Sequence, residues 1–305
     1  MYKRIIFLII LIIIIFSELK KYYNYILNKY FRNSDNIVYD YFLKQYIQCV
    51  SKNNYFMNYG LWNNNNINTL KKANKNLCNF IFEKAKINST EKFTILDVGC
   101  GYGKQDFLLE KMISNDSKIT AIDLSKTQIE YANKYKNKQI ICKNKLNFVQ
   151  GDAHSLIDIF NNKKFNRILS IESAFHYKDK ELFFNNVSEL LTKDGLFVIS
   201  DIILNDNYEP TFMKKMFLNI SKDFLCIPEK NLIKLNDWKK QVENSNLKLV
   251  EIYNITNKTF IPYYKYFFTK YIEKKKLPSF ISNILIYYFN NVQSFSYIVA
   301  VCKKK

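Results

Sequence analysis

Ile95-Leu96-Asp97-Val98-Gly99-Cys100-Gly101-Tyr102-Gly103 is an apolar run that breaks into three glycines within five positions. Glycine occurs only six times in 305 residues (Gly60, Gly99, Gly101, Gly103, Gly151 and Gly195), so half of it falls in this one stretch. A buried strand turning tightly into a helix accounts for the cluster. Gly99 permits the turn, Gly101 lets a ligand approach the main chain with no Cβ in the way, and Gly103 opens the helix. The spacing is G-x-G-x-G, unlike the G-x-G-x-x-G of dinucleotide sites, and no G-K-S/T follows to hold a triphosphate.

Outward from this turn, short apolar runs at 93–98, 119–122, 148–149, 168–171 and 196–202 are separated by helical patterns at 107–112, 127–135 and 180–191. Alternation of this kind predicts an α/β fold, a parallel sheet with helices on both faces. Residues 70–85 form a helix with one apolar stripe. Past 202 the chain reads as irregular and aromatic to about 230, then as a helix at 236–244 and strands at 247–255 and 296–302. The second run ends in Asp123, twenty residues after Gly103, where an acid reaches both hydroxyls of a ribose. Capping of the next helix by Asp123 or Ser125 is compatible with that role.

These features together resemble the class I S-adenosylmethionine-dependent methyltransferases, in their small-molecule, natural-product O-methyltransferase (type 11-like) branch. The likeness runs from about Asn54 to Cys302. It implies a Rossmann-like seven-stranded, mostly parallel sheet with an antiparallel last strand. It also implies S-adenosylmethionine as cofactor and no metal. Carried over residue by residue, it puts Asp97, Gly99, Cys100, Gly101 and Gly103 at the methionine end of the donor. Asp123 falls at the ribose, and Gly151, Asp152 and Ala153 at the adenine, with Leu124 and Gln128 also in the donor set. Tyr59, Ile171 and Glu172 complete the donor set, with Tyr55, Tyr59 and Trp62 in a lid. At Asp194-Gly195 the chain lacks a second glycine common in the family, a departure expected to touch only a turn.

On the acceptor side, Glu172-Ser173-Ala174-Phe175-His176 resembles the E-S-x-x-H segment of the same branch. There a histidine stands near the methyl acceptor and an aspartate ending the next strand partners it, which implies His176 as base and Asp201 as its support. A hydroxyl is a poor nucleophile until its proton is removed, and imidazole suits that task near neutrality. Capping of the following helix is the plainer role for His176. His154, the other histidine, reads as a local contact near the adenine edge.

Met1-Tyr2-Lys3-Arg4 precedes an apolar run at 5–16. Twelve helical residues reach about 18 Å, short of the ~30 Å hydrocarbon layer, and no small-x-small cleavage site follows. The expectation is a membrane anchor or uncleaved signal-like segment at 1–20. A helical lid and linker follows at 21–66, and a catalytic domain facing the cytosol at 67–305. An apolar cap at about 205–234 (Phe212, Met213, Met216, Phe217, Phe224, Leu225) points to a small hydrophobic acceptor.

The formal charge is +19, from 46 basic and 27 acidic side chains, and only Arg4, Arg32 and Arg167 are arginine. Codon drift toward lysine and asparagine explains such an excess, and so does attraction to anionic lipid or nucleic acid. Three function classes follow: methylation of a small molecule, most simply at oxygen but also at carbon or nitrogen of a lipid-, sterol- or quinone-like acceptor; methylation of RNA; or a non-catalytic donor-binding scaffold. The RNA reading lacks the N/D-P-P-Y/F segment of exocyclic-amine methylation, because the matching position reads Ile171-Glu172-Ser173-Ala174. Six scattered cysteines at no metal-ligand spacing read as free thiols in a reducing compartment. Asp123→Ala is predicted to weaken donor binding by about 1.5–3 kcal/mol, the scale of a charge-assisted hydrogen-bonded group. Unchanged affinity by calorimetry would refute the ribose assignment.

Overall fold

In the computed structural model, described for residues 55–63, 67–138, 145–161, 163–275 and 294–305, the glycine-rich stretch begins at the centre of the sheet. β1 (Thr94–Val98) buries every residue after Thr94. It pairs in parallel with β2 (Lys118–Asp123) on one side, Asp97 opposite Ala121, and with β4 (Phe165–Ile171) on the other, Asp97 opposite Leu169. β3 (Leu146–Gln150) lies outside β2, and β5 (Leu191–Leu204) lies outside β4. The last strand in sequence, β7 (Phe295–Lys304), inserts antiparallel between β5 and β6 (Leu247–Asn254). The resulting order is β3-β2-β1-β4-β5-β7-β6.

The chain order reverses between β1 and β4. Successive strands step one way from β1 to β3 and the other way from β4 onward, which opens a crevice at the carboxyl ends of β1 and β4. Helices cover both faces, so the strands read as nearly continuous apolar runs. One face is covered by α1 (Leu70–Lys84), α2 (Lys104–Leu109) and α3 (Lys126–Asn137), through Leu77, Ile81, Phe107 and Ile129. The other is covered by α4 (Leu156–Phe160), α5 (Lys180–Leu190) and α7 (Leu235–Asn244), with α6 (Phe212–Phe224) preceding α7 in the chain. Leu156, Phe183, Val187 and Trp238 pack there. Caps start the helices where polar residues precede each stripe: Thr69 accepts from the Lys72 N–H, Ser125 from Gln128 and Asp179 from Leu182.

The expected seven strands are present, with α/β layering and an antiparallel last strand. The segment after 202 is not irregular. It carries α6, whose apolar positions 213, 216, 217, 220 and 224 have helical spacing in the sequence, and Leu218 and Leu225 join the core of the first face. The long aromatic and lysine-rich stretch after β6 is α8 (Thr256–Lys275), which packs Phe260 and Tyr263 inward. Asp194-Gly195 lies where the register between β4 and β5 shifts, with Phe165 opposite Leu191 and Arg167 opposite Leu196. Among the described residues no helix is long and apolar enough to cross a membrane. The apolar run at 5–16 and most of the 21–66 segment lie outside them.

Asp201 corrects an expectation. Its carboxylate is fully buried and accepts from Lys180 Nζ at 2.7 Å, Trp238 Nε1 at 2.8 Å and the Ile202 N–H at 2.9 Å. It is the anion of a buried ion pair that joins β5 to α5 and α7, and His176 is not among its hydrogen-bond partners. The lysine decides this: an ammonium in the core needs a carboxylate, and Asp201 is the one it meets. Asp201→Ala is therefore predicted to lower unfolding free energy by about 3–5 kcal/mol by stranding Lys180, while Lys180→Met with Asp201→Leu loses far less. Denaturant melts of the two variants would check the difference.

Candidate active site

Past Val98 the chain reverses through Gly99 and Cys100, whose N–H groups both donate to the Ile122 carbonyl, at 2.8 and 3.1 Å. Gly99 has φ +82°, and a Cβ there would lie 2.2 Å from Ser173 Cβ, so the turn of β4 leaves room only for hydrogen. Gly101 has φ +57° and lies beneath Met57 and Gln128. Its N–H donates to Asp123 Oδ2 at 2.8 Å, while Asp123 Oδ1 accepts from the Ser125 N–H at 2.9 Å. The acid ending β2 and the turn after β1 are thus one hydrogen-bonded unit. Gly151 joins it by donating to the Asp123 carbonyl at 3.0 Å.

Around this unit the other expected donor residues take definite places. Leu124 is about half exposed (48%), open to a flat ligand, and Ala153 is buried. His154 Nε2 accepts from the Asp179 N–H at 3.0 Å, so the ring proton is on Nδ1 and is donated to Asp152 Oδ1 at 2.6 Å. His154 therefore orients Asp152. Asp97 is fully buried, and its Oδ2 accepts from Gln105 Nε2 at 3.0 Å while Oδ1 meets no donor among the described residues. Burial, with repulsion from Asp123 added, pushes its carboxyl up to about 7. Gln128 Nε2, also buried, has no acceptor among the described residues. Cys100 is buried, and desolvation drives its thiol well above the ordinary range.

Ile171 closes β4 opposite Ser200, and Glu172 follows with φ +51°. Glu172 Oε1 accepts from the Tyr59 N–H at 2.7 Å and from the Tyr297 hydroxyl at 2.6 Å, while its own N–H donates to Ser200 Oγ. Burial overrides these hydrogen bonds and raises the carboxyl to about 8. Glu172 is thus the tie between the lid and the sheet. In the lid, Tyr55 stacks on Tyr131 with ring centres 4.4 Å apart, and the Trp62 N–H donates to the Lys258 carbonyl. The Tyr59 ring packs edge-on against Phe260 and Tyr263 of α8.

His176 ends a short 3-10 turn (Ala174–His176). Ser173 Oγ anchors that turn by donating to the Val98 carbonyl at 2.8 Å, and Asn231 Nδ2 by donating to the carbonyls of Phe175 and Tyr177. His176 Nδ1 lies 3.4 Å from the Cys226 carbonyl, and the main chain of Leu225 also bonds the ring. Burial lowers the imidazole to about 4 and keeps it neutral. Asn231, Lys180 and Tyr297 had no signal in the sequence. Trp238 had one, being one of only two tryptophans.

The arrangement fits S-adenosylmethionine. It offers a glycine turn at the carboxyl end of β1, an Asp97 oxygen and a Gln128 amide that meet no partner among the described residues, and an acid at the end of β2. A methyltransferase-domain family model matches residues 89–257. The chain belongs to that family. It is 29% identical over 205 residues to the erythromycin 3''-O-methyltransferase of Saccharopolyspora erythraea, an alignment spanning 66% of this chain and 65% of that enzyme. A sterol 24-C-methyltransferase of Candida albicans is 29% identical over 126 residues, 41% of this chain and 32% of that enzyme. In fold, the chain is similar to a putative sarcosine dimethylglycine methyltransferase from Galdieria sulphuraria, with TM-score 0.70 at 14% identity over 86% of this chain and 98% of that one. The first alignment thus spans just under two thirds of its relative.

The Glu172 tie has a pH consequence. Its carboxyl is raised from an ordinary value of 4.5 to about 8, so folding favours the protonated form. The associated stability is complete below the unfolded value and is lost as pH rises through about 8. Thermal melts of wild type are predicted to fall between pH 5 and pH 8, and those of Glu172→Gln to fall less steeply. Equal slopes would contradict the assignment.

Proposed function

We propose that the protein transfers the methyl group of S-adenosylmethionine to a hydroxyl oxygen of a small apolar acceptor, with His176 taking the hydroxyl proton. When bound, the donor supplies a methyl carbon already activated on a sulfonium, so the chain's residues need only position two reactants and move one proton. Asp123 takes the ribose hydroxyls, Asp97 the ammonium, and Leu124 with Gly151, Asp152 and Ala153 the adenine. His176 removes the proton as the oxygen–carbon bond forms, then returns it to solvent.

The observation that carries this reading is the state of His176. Burial keeps the ring in its neutral form, able to accept a proton, on a turn pinned to the end of β1 by Ser173. The apolar residues Leu218 and Leu225 on the cap side support a hydrophobic acceptor. The O-methyltransferase relative supports oxygen as the site. A tether through residues 5–16 would bring such an enzyme to a hydrophobic acceptor in a membrane.

A second reading, methylation at carbon of a sterol- or quinone-like acceptor, is favoured by Glu172. That carboxyl sits by the phenols of Tyr264 and Tyr297, where it would take a proton from carbon instead. Labelled methyl transfer to a panel of hydroxylated polyketides, quinols and sterols separates the two. His176→Ala is predicted to cut kcat by about 10²–10⁴-fold with donor affinity unchanged. With the base form of a group near 4 complete above about pH 5, wild-type kcat owes His176 no slope between pH 6 and 8. Full turnover in His176→Ala, with loss in Glu172→Gln, would replace the first reading by the second.

A further inference from the structure

The donor site described above leaves one buried acid without a task. Asp106 lies in α2, fully buried, and apart from its own main-chain N–H its oxygens have no N–H or O–H of another described residue to accept from. Asp97 Oδ1 is in the same condition. The two carboxyls lie close enough to share a hydrogen bond with each other. Two carboxylates can do that only through a proton, and in a dry site like charges at such range do not both ionise.

What surrounds them gives no relief. The Gln105 amide donates to Asp97 Oδ2, Asp123 at the end of β2 adds repulsion, and no cation pairs with either acid among the described residues. The thiols of Cys78 in α1 and Cys100 in the turn, and the phenol of Tyr177, are kept neutral by burial. The pair therefore carries protons in place of a counter-ion.

We infer that Asp106 is a positioning residue for donor capture: it shares a proton with Asp97, and the donor's ammonium displaces a proton from the pair on binding. This rests on the reading that Asp97 meets the ammonium. The balance is simple. Below the titration of the pair, Asp97 and Asp106 are both protonated. As the ammonium arrives Asp97 gives its proton to solvent, and Asp106 keeps its own and donates it to Asp97. Above that pH the Asp97 carboxylate already exists and nothing is released. Donor affinity is thus full in alkali and falls as pH drops. With Asp97 raised to about 7, the fall begins within the physiological range.

The test is calorimetry of S-adenosylhomocysteine, which keeps the ammonium and lacks the sulfonium, in buffers of different ionisation enthalpy. Wild type is expected to release about one proton at pH 6 and close to none at pH 8, with affinity weakening by up to about tenfold per pH unit below 7. In Asp106→Asn the amide donates permanently to Asp97, so release at pH 6 should nearly vanish and affinity should be level from pH 6 to 8. Tight wild-type binding without proton release at pH 6 overturns the inference with no variant needed. Unchanged release in Asp106→Asn overturns it as well, since a merely structural Asp106 would leave the proton count alone. Absence of binding at every pH would instead bring down the donor site itself.

Discussion

The hydrogen bond from the Gly101 N–H to the Asp123 carboxylate holds the site together. It couples the turn leaving β1 to the acid closing β2, two elements that reach the same place only because they are adjacent parallel strands ending at the same edge. Gly99 serves the same contact from the other side, since Ser173 at the end of β4 occupies the space a side chain would need. Three strand ends therefore converge on one main-chain surface, at the point where the order of the sheet reverses. Any residue larger than glycine at that convergence forces β1 and β4 apart.

Charge gives the second theme. The chain carries +19 overall, yet around the turn stand Asp97, Asp106 and Asp123, with Glu172 close by, and among the described residues neither Asp97 nor Glu172 has a lysine or arginine beside it. The core's one fully buried lysine among the described residues, Lys180, is held by Asp201 below the sheet's end. Buried acids without a counter-ion hold protons instead, and a positively charged ligand can take a proton's place among them. The basic surface by itself decides nothing about nucleic acid.

Legibility in the sequence followed from rarity and period. The glycine cluster was visible because so little glycine remains elsewhere, and Asp123 because it ends an apolar run. The seven strands were visible as runs bounded by helical patterns. The His176–Asp201 pairing was not, because the competitor, Lys180, is one of dozens of lysines and nothing in the sequence marks it as buried. Helix α6 had the right spacing but was hidden by the aromatic character of its neighbours. Asp106 was overlooked as a surface acid beside Phe107 and Leu108; only packing shows that it faces Asp97. The position of the Tyr59 ring depends on α8, two hundred residues away, which no local pattern encodes.

A crystal structure of the protein with S-adenosylhomocysteine tests the account most directly. The ribose hydroxyls are expected on Asp123, the amino-acid end against Asp97 and Gly99, and the adenine by Leu124 and Ala153. A ligand lying elsewhere, or a ribose held by residues other than Asp123, would contradict it.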